Sequence, residues 1–154
     1  MDLEEARNRA INKFNTLKEK KIVCPALWLP VKFWDSGFSH ITYKDSKHRR
    51  NEAEQCERFK CFIKVDTIIK KSHLYQEHML KEETIKIRNH WKTKIEKKLV
   101  DYYWLVWIVI HNWYESRIKV VLRKVYGKEY LEYHSVIPAW NLEWYRNFIG
   151  IENW

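Results

Sequence analysis

The chain has 154 residues, with 29 Lys and Arg against 20 Asp and Glu, a formal charge of +9. Aromatic residues make up 16%, nine of them Trp, while Gly and Pro number only three each. Disordered, collagen-like and low-complexity chains are excluded by that balance, and an acidic buffering protein by its sign. One domain is expected at this length, long enough to bury a core without disulfides. For a basic, aromatic-rich surface the expected partner is nucleic acid first and an anionic membrane face second.

Asp2 to Lys21 reads as an amphipathic helix, with Leu3, Ala6, Ala10, Ile11, Phe14 and Leu17 at helical spacing. Asp2, Glu4 and Glu5 suit its N-terminal dipole, and Lys18, Lys20 and Lys21 its C-terminal end. The acidic start has no apolar stretch of the kind a secretory signal needs. Pro25 and Pro30 forbid a continuing helix. Leu27 to Trp34 is expected to be extended, Asp35-Ser36-Gly37 a turn, and Phe38 to Lys44 a short strand. Asn51 to Ile63 has helical patterning, and Val65 to Lys70 reads as a second short helix.

Ser72 to Trp91 is hydrophilic and gives no clear period; helix is expected in part. Lys86 to Lys98 gathers six cations against Glu96 alone. Val100 to His111 is the apolar run of a buried strand, and its apolar core, Tyr102 to Ile110, is too short to span a membrane as a helix. Arg117 to Tyr126 and Glu129 to Ile137 flank the turn Tyr126-Gly127-Lys128 and read as a hairpin, stopped by Pro138. Trp140 to Trp154 is an aromatic tail, expected to pack back as a short helix. The expected architecture is α+β in one domain over 1–154: an N-terminal helix (1–22), an α+β core (23–140) and the tail (141–154).

The three cysteines, Cys24, Cys56 and Cys61, form no disulfide framework and read as reduced thiols of a cytoplasmic protein. Cys56 and Cys61 lie five apart on a helix and point about 140° away from each other, which is wrong for sharing a zinc ion. With only three glycines there is no phosphate-cradling loop. Five scattered Asp offer no cluster for the divalent ions of a metal nuclease. Neither a metal nor another cofactor is therefore expected.

RNA cleavage also proceeds without metal. A base takes the 2′-hydroxyl proton, an acid protonates the leaving 5′-oxygen, and cations steady the phosphorane. Histidine suits the first two tasks, and Arg or Lys the third. Two segments carry these residue types: Ser39 to Arg50, with His40, Lys44, His48, Arg49 and Arg50, and the hairpin, with Arg117, Lys119, Arg123, His134 and Ser135. On the first hairpin strand Ile118, Val120 and Leu122 share one face; Lys119, Val121 and Arg123 share the other. On the second, Glu132 and His134 alternate with Leu131, Tyr133 and Ser135. The register decides which of His134 or Ser135 joins Arg123. His48, His73, His78 and His90 read as surface residues, and Lys86–Lys98 reads by default as a solvated face.

The order Cys24-Pro25-Ala26-Leu27, Gly37-Phe38-Ser39-His40-Ile41, Tyr43-Lys44, Arg49-Arg50 and Gln55…Arg58-Phe59 is followed by Ile118-Lys119-Val120-Val121-Leu122-Arg123 and His134-Ser135-Val136-Ile137-Pro138. Together these short motifs, over about residues 22–140, resemble the phage-associated branch of the barnase/EndoU/colicin/RelE-like nucleases. The resemblance implies helices followed by a four-stranded antiparallel sheet. It implies a metal-independent endoribonuclease, toxin- or effector-like, with RNA as substrate and an inhibitor or antitoxin protein as a further partner. Carried over by position, His40 is a general acid or base, Arg50 and Arg123 bind the scissile phosphate, Ser135 hydrogen-bonds a phosphate oxygen, and Lys44 is an auxiliary cation, with Arg49 and His134 beside them. Phe33-Trp34-Asp35 departs from the family's more regular pattern at that point. A non-catalytic basic RNA- or ribosome-binding module is the alternative, and a protein-docking factor using the Trp140–Trp154 tail is a third.

Overall fold

A computed structural model describes residues 1–111 and 114–139; for 109–111, 114–116 and 139 it describes the backbone alone. The tail 140–154, expected as a short helix, lies outside the described residues. The first helix, α1 (Leu3–Glu19), starts where the charge pattern places it: the Asp2 carboxylate accepts a hydrogen bond from the Glu5 amide at 2.8 Å. Ala6, Ala10, Phe14 and Leu17 of the expected stripe are buried, whereas Ile11 is exposed.

Two short strands follow, β1 (Ile22–Cys24) and β2 (Leu29–Lys32), paired antiparallel with Ile22 opposite Val31. At residues 35–44 the expected turn and strand are replaced by a helix, α2 (Asp35–Ser39), and a loop closed by a bridge between Tyr43 and Arg49. Trp34 is extended at the N-cap, and Asp35 sits in the first turn, where a carboxylate meets the helix dipole. The helix also needs Gly37. A Cβ there would lie 2.2 Å from the Tyr133 carbonyl oxygen and 3.1 Å from Cδ1 of its ring. Gly37→Ala is accordingly expected to cost about 3 kcal/mol, seen as a lower thermal midpoint; an unchanged midpoint contradicts the close approach of α2.

Helices α3 (Glu52–Phe62) and α4 (Val65–Lys71) match the expected segments closely. The Asn51 side chain caps α3 by accepting from the Glu54 amide at 2.8 Å. The remaining strands are β3 (Glu77–Arg88), β4 (Thr93–His111), β5 (Tyr114–Val125) and β6 (Leu131–Ala139). Residues 77–88, expected as partly helical, are a strand paired along their whole length with β4. One face is wholly exposed and the other only half-buried at Met79, Glu83, Ile85 and Ile87, so the alternation that marks a strand is confined to residues 84–88. Pro138 does not stop β6. It pairs opposite Ile118 in a stretch that has already parted from β2, and an outer edge tolerates a proline.

The sheet is six-stranded, in the order β1-β2-β6-β5-β4-β3, where four antiparallel strands were expected. It is also mixed, because β2 runs parallel to β6. The helical layer packs with Leu105, Ile118, Val120, Leu122, Leu131, Tyr133 and Val136 into the main core. On the opposite face Val100, Tyr102, Trp104, Val121, Val125 and Ile137 form a second, smaller cluster. Cys24, Cys56 and Cys61 are free thiols, and burial pushes Cys61 up to about 12. Among the described residues no helix is long and apolar enough to cross a membrane.

Candidate active site

The hairpin faces follow the alternation on β5: Ile118, Val120 and Leu122 enter the main core, while Val121 and Arg123 lie on the other face. On β6 the alternation breaks. Val121 pairs with Ser135 and the next residue, Leu122, pairs with Tyr133, so His134 is the extra residue of a β-bulge. Tyr133 and Val136 therefore both face the helices although three positions apart. Both members of the register question end on the Arg123 side: Ser135 through its pairing with Val121, and His134 through its ring, which meets Tyr102 of the second cluster edge-on at 5.2 Å between centroids.

The bulge delivers His134 to His40. Their ring centroids are 4.7 Å apart and their planes 49° apart. His40 reaches this point as the C-cap of α2, with its amide bonded to the Gly37 carbonyl at 3.2 Å. Arg50 fixes it from behind: its Nε donates to the His40 carbonyl at 3.0 Å, and its guanidinium pairs with Glu54 at 2.5 Å. Arg50 is buried, and its side chain holds the His40 carbonyl while paired with a carboxylate. Arg58, 1% exposed, donates to the Val136 carbonyl at 2.9 Å and so ties the outer edge of β6 to α3.

Arg123 lies on the same face, its Nε 3.1 Å from Glu132 and its terminal nitrogen 3.7 Å from Glu83. Glu83 also accepts from the Tyr102 hydroxyl at 2.5 Å. Tyr102, Glu83 and Glu132 are site residues that the sequence reading missed. Tyr102 is hidden inside an apolar run, and Glu83 belongs to the strand that was expected as partly helical. Glu132 was legible in principle, as the cross-strand partner of Arg123 in the hairpin.

The other expected residues are placed differently. Ser135 is buried, and its hydroxyl has no hydrogen-bond partner among the described residues. Lys44 and Arg49 are exposed on the loop closed by the Tyr43–Arg49 bridge. His48 is exposed there too, its Nδ1 2.8 Å from Asp45. Backbone amides of that loop and His48 hold the Asp45 carboxyl below its ordinary range. The structure thus joins His40, His134 and Arg123 with Arg50 behind them, sets Ser135 on the same face with its hydroxyl unbonded among the described residues, and leaves Lys44 and Arg49 on the exposed loop.

Both imidazoles are pushed toward the neutral form. Burial lowers His134 to about 3, aided by His40, Arg123 and Lys81. Burial also lowers His40, aided by Arg50, Arg58 and Arg123. Because the unfolded chain takes up these protons more readily, stability is complete above pH about 6.5 and is lost as pH falls toward 3. His134→Phe is expected to flatten this decline, read as urea midpoints between neutral pH and pH about 4; a decline of unchanged steepness contradicts the assignment. No family model, no curated protein and no solved structure matches this chain.

Proposed function

We propose that this chain is a metal-independent endoribonuclease of the toxin or effector type, acting through His40 and His134 with Arg123 on the phosphate. The observation that carries the reading is the contact between the two imidazoles, 94 positions apart in sequence and 4.7 Å apart in space, within the field of Arg123. Burial and the neighbouring cations hold both rings neutral at rest, and repulsion disfavours charging both at once, so a bound anion draws a proton onto only one of them. One neutral and one protonated imidazole is the state that transesterification requires.

In the proposed reaction neutral His134, the less basic ring, takes the proton of the 2′-hydroxyl. The 2′-oxygen attacks phosphorus, and the bond from phosphorus to the 5′-oxygen breaks. His40 in its protonated form gives its proton to that leaving oxygen. The products are a 2′,3′-cyclic phosphate and a 5′-hydroxyl, and no outside reactant is consumed. The substrate itself supports the charged acid: an anion about 4 Å from an imidazolium contributes about 4 kcal/mol at an effective dielectric constant near 20. Arg123 faces the growing phosphorane charge after exchanging Glu83 or Glu132 for the phosphate.

The test is incubation of the purified protein with total RNA in EDTA, beside Arg123→Ala. The reading expects RNA cut by the parent and spared by the variant. RNA left whole by the parent, with tight and salt-sensitive binding, would instead favour the non-catalytic RNA- or ribosome-binding module.

A further inference from the structure

Beyond Val100, which pairs with the last residue of β5, strands β3 and β4 continue alone as a two-stranded arm. From the pair Glu82–Leu99 to the pair Arg88–Thr93 it advances six residues, about 20 Å. A two-residue turn closes it, with Asn89 and Lys92 exchanging backbone hydrogen bonds at 3.0 and 3.3 Å around His90 and Trp91. Trp91 at this tip is 95% exposed. A Trp brings 150–250 Å² of mostly apolar surface to whatever it touches, and here it gives almost none of that to the fold.

The surroundings of Trp91 are cationic. Lys86, Arg88, Lys92, Lys94 and Lys97 are all exposed. The register puts Lys86, Arg88 and Lys97 on one face with Ile95, which is 66% exposed, and Lys94 on the other. An extended aromatic plane flanked by amines matches the two recurring surfaces of a single nucleic acid strand, the face of an unpaired base and the phosphates beside it. An acidic peptide would satisfy the amines, but only a nucleic acid strand sets a flat ring beside an anion at every unit.

We propose that the β3–β4 arm is a binding site for single-stranded RNA, in which Trp91 stacks on an unpaired base while Lys86, Arg88, Lys92 and Lys94 contact flanking phosphates. This deepens the ribonuclease reading, on which it rests for the choice of RNA, by naming unpaired RNA as the substrate class. Lys94 and Lys98 share a face with Glu83 and Tyr102, so this face of the arm continues the surface that carries His134 and Arg123, while Lys86 and Arg88 reach the RNA strand from the opposite face at the tip.

The experiment compares a fluorescent single-stranded RNA oligonucleotide with the same strand annealed to its complement. Titrations use full-length His40→Ala protein, so that cleavage does not interfere. Trp91→Ala is expected to weaken single-strand binding by about 5- to 100-fold, with Trp91→Phe recovering most of it. Lys92→Gln with Lys94→Gln should lower the slope of log affinity against log salt by about 0.7 for each lost contact. Trp91→Ala should melt like its parent, because the side chain is exposed. Full affinity in Trp91→Ala, an equal loss for the duplex, or no RNA binding by the parent each overturns the proposal. If wild type leaves RNA uncut but the Trp91 effect holds, the arm stands and the ribonuclease reading fails; cleavage with a silent Trp91 gives the reverse.

Discussion

Replacing His134 with Ala is expected to slow RNA cleavage by about 10²- to 10⁴-fold, the usual contribution of a positioned acid or base. His40→Ala should fall in the same range, and the double variant should be little slower than either single one. The reason is geometric. With rings 4.7 Å apart the two side chains serve one phosphodiester, so losing either removes the proton relay as a unit. Single-turnover rates measure this, and circular dichroism checks that each variant is folded. Losses that multiply in the double variant would mean two independent effects, and unaffected cleavage in either single variant would remove that histidine from the reaction. Neither ring serves the main core that holds the helices against the sheet, so these losses are expected without collapse of the fold.

The second large effect concerns the fold that brings the histidines together. Arg58→Met is expected to cost about 3 kcal/mol, roughly 10 °C in thermal midpoint for a chain of this size. The guanidinium is fully enclosed, holds the Val136 carbonyl at 2.9 Å and stands 3.7 Å from Glu54. Met fills much of the same volume but leaves a carbonyl on the outer edge of β6 without its donor. The cost stays near the lower end for a broken buried pair because Glu54 keeps Arg50. Urea unfolding measures the loss, and a change below about 1 kcal/mol would show that the edge of β6 is held by other means.

Helices α1 and α3 were legible because they carry their own signals: Asp2 and Asn51 stand as caps, and apolar residues recur at helical spacing along α1. The β5 faces were legible for the same local reason, strict alternation. The bulge was not, because an inserted residue is defined by the partner strand and no residue at 133–135 announces it. A hint exists in Tyr133 and Val136, two core residues three apart in a strand. Strand β3 was missed because its apolar alternation is short, Ile85 and Ile87 among charged residues, and the rest of its pairing is imposed by β4. Helix α2 is five residues long, too short for a period, and its reason for existing is the approach of Gly37 to Tyr133. Of the candidate site, His40, His134 and Arg123 were among the residues that chemistry picked out, and the resemblance gave His40 and Arg123 their roles with His134 beside them. Arg50 was named as a phosphate ligand, and its burial beside Glu54 turns it toward holding His40 in place.

The central claim is that the two histidines act on the 2′-hydroxyl of RNA without a metal ion. The most direct measurement uses an oligonucleotide cut by the protein in EDTA, remade with a single 2′-deoxy sugar at the cleaved position. The account predicts a 2′,3′-cyclic phosphate and a 5′-hydroxyl from the all-ribose strand, and no cut at that position in the substituted one. Cleavage of the substituted strand, or ends bearing a 5′-phosphate, would contradict it.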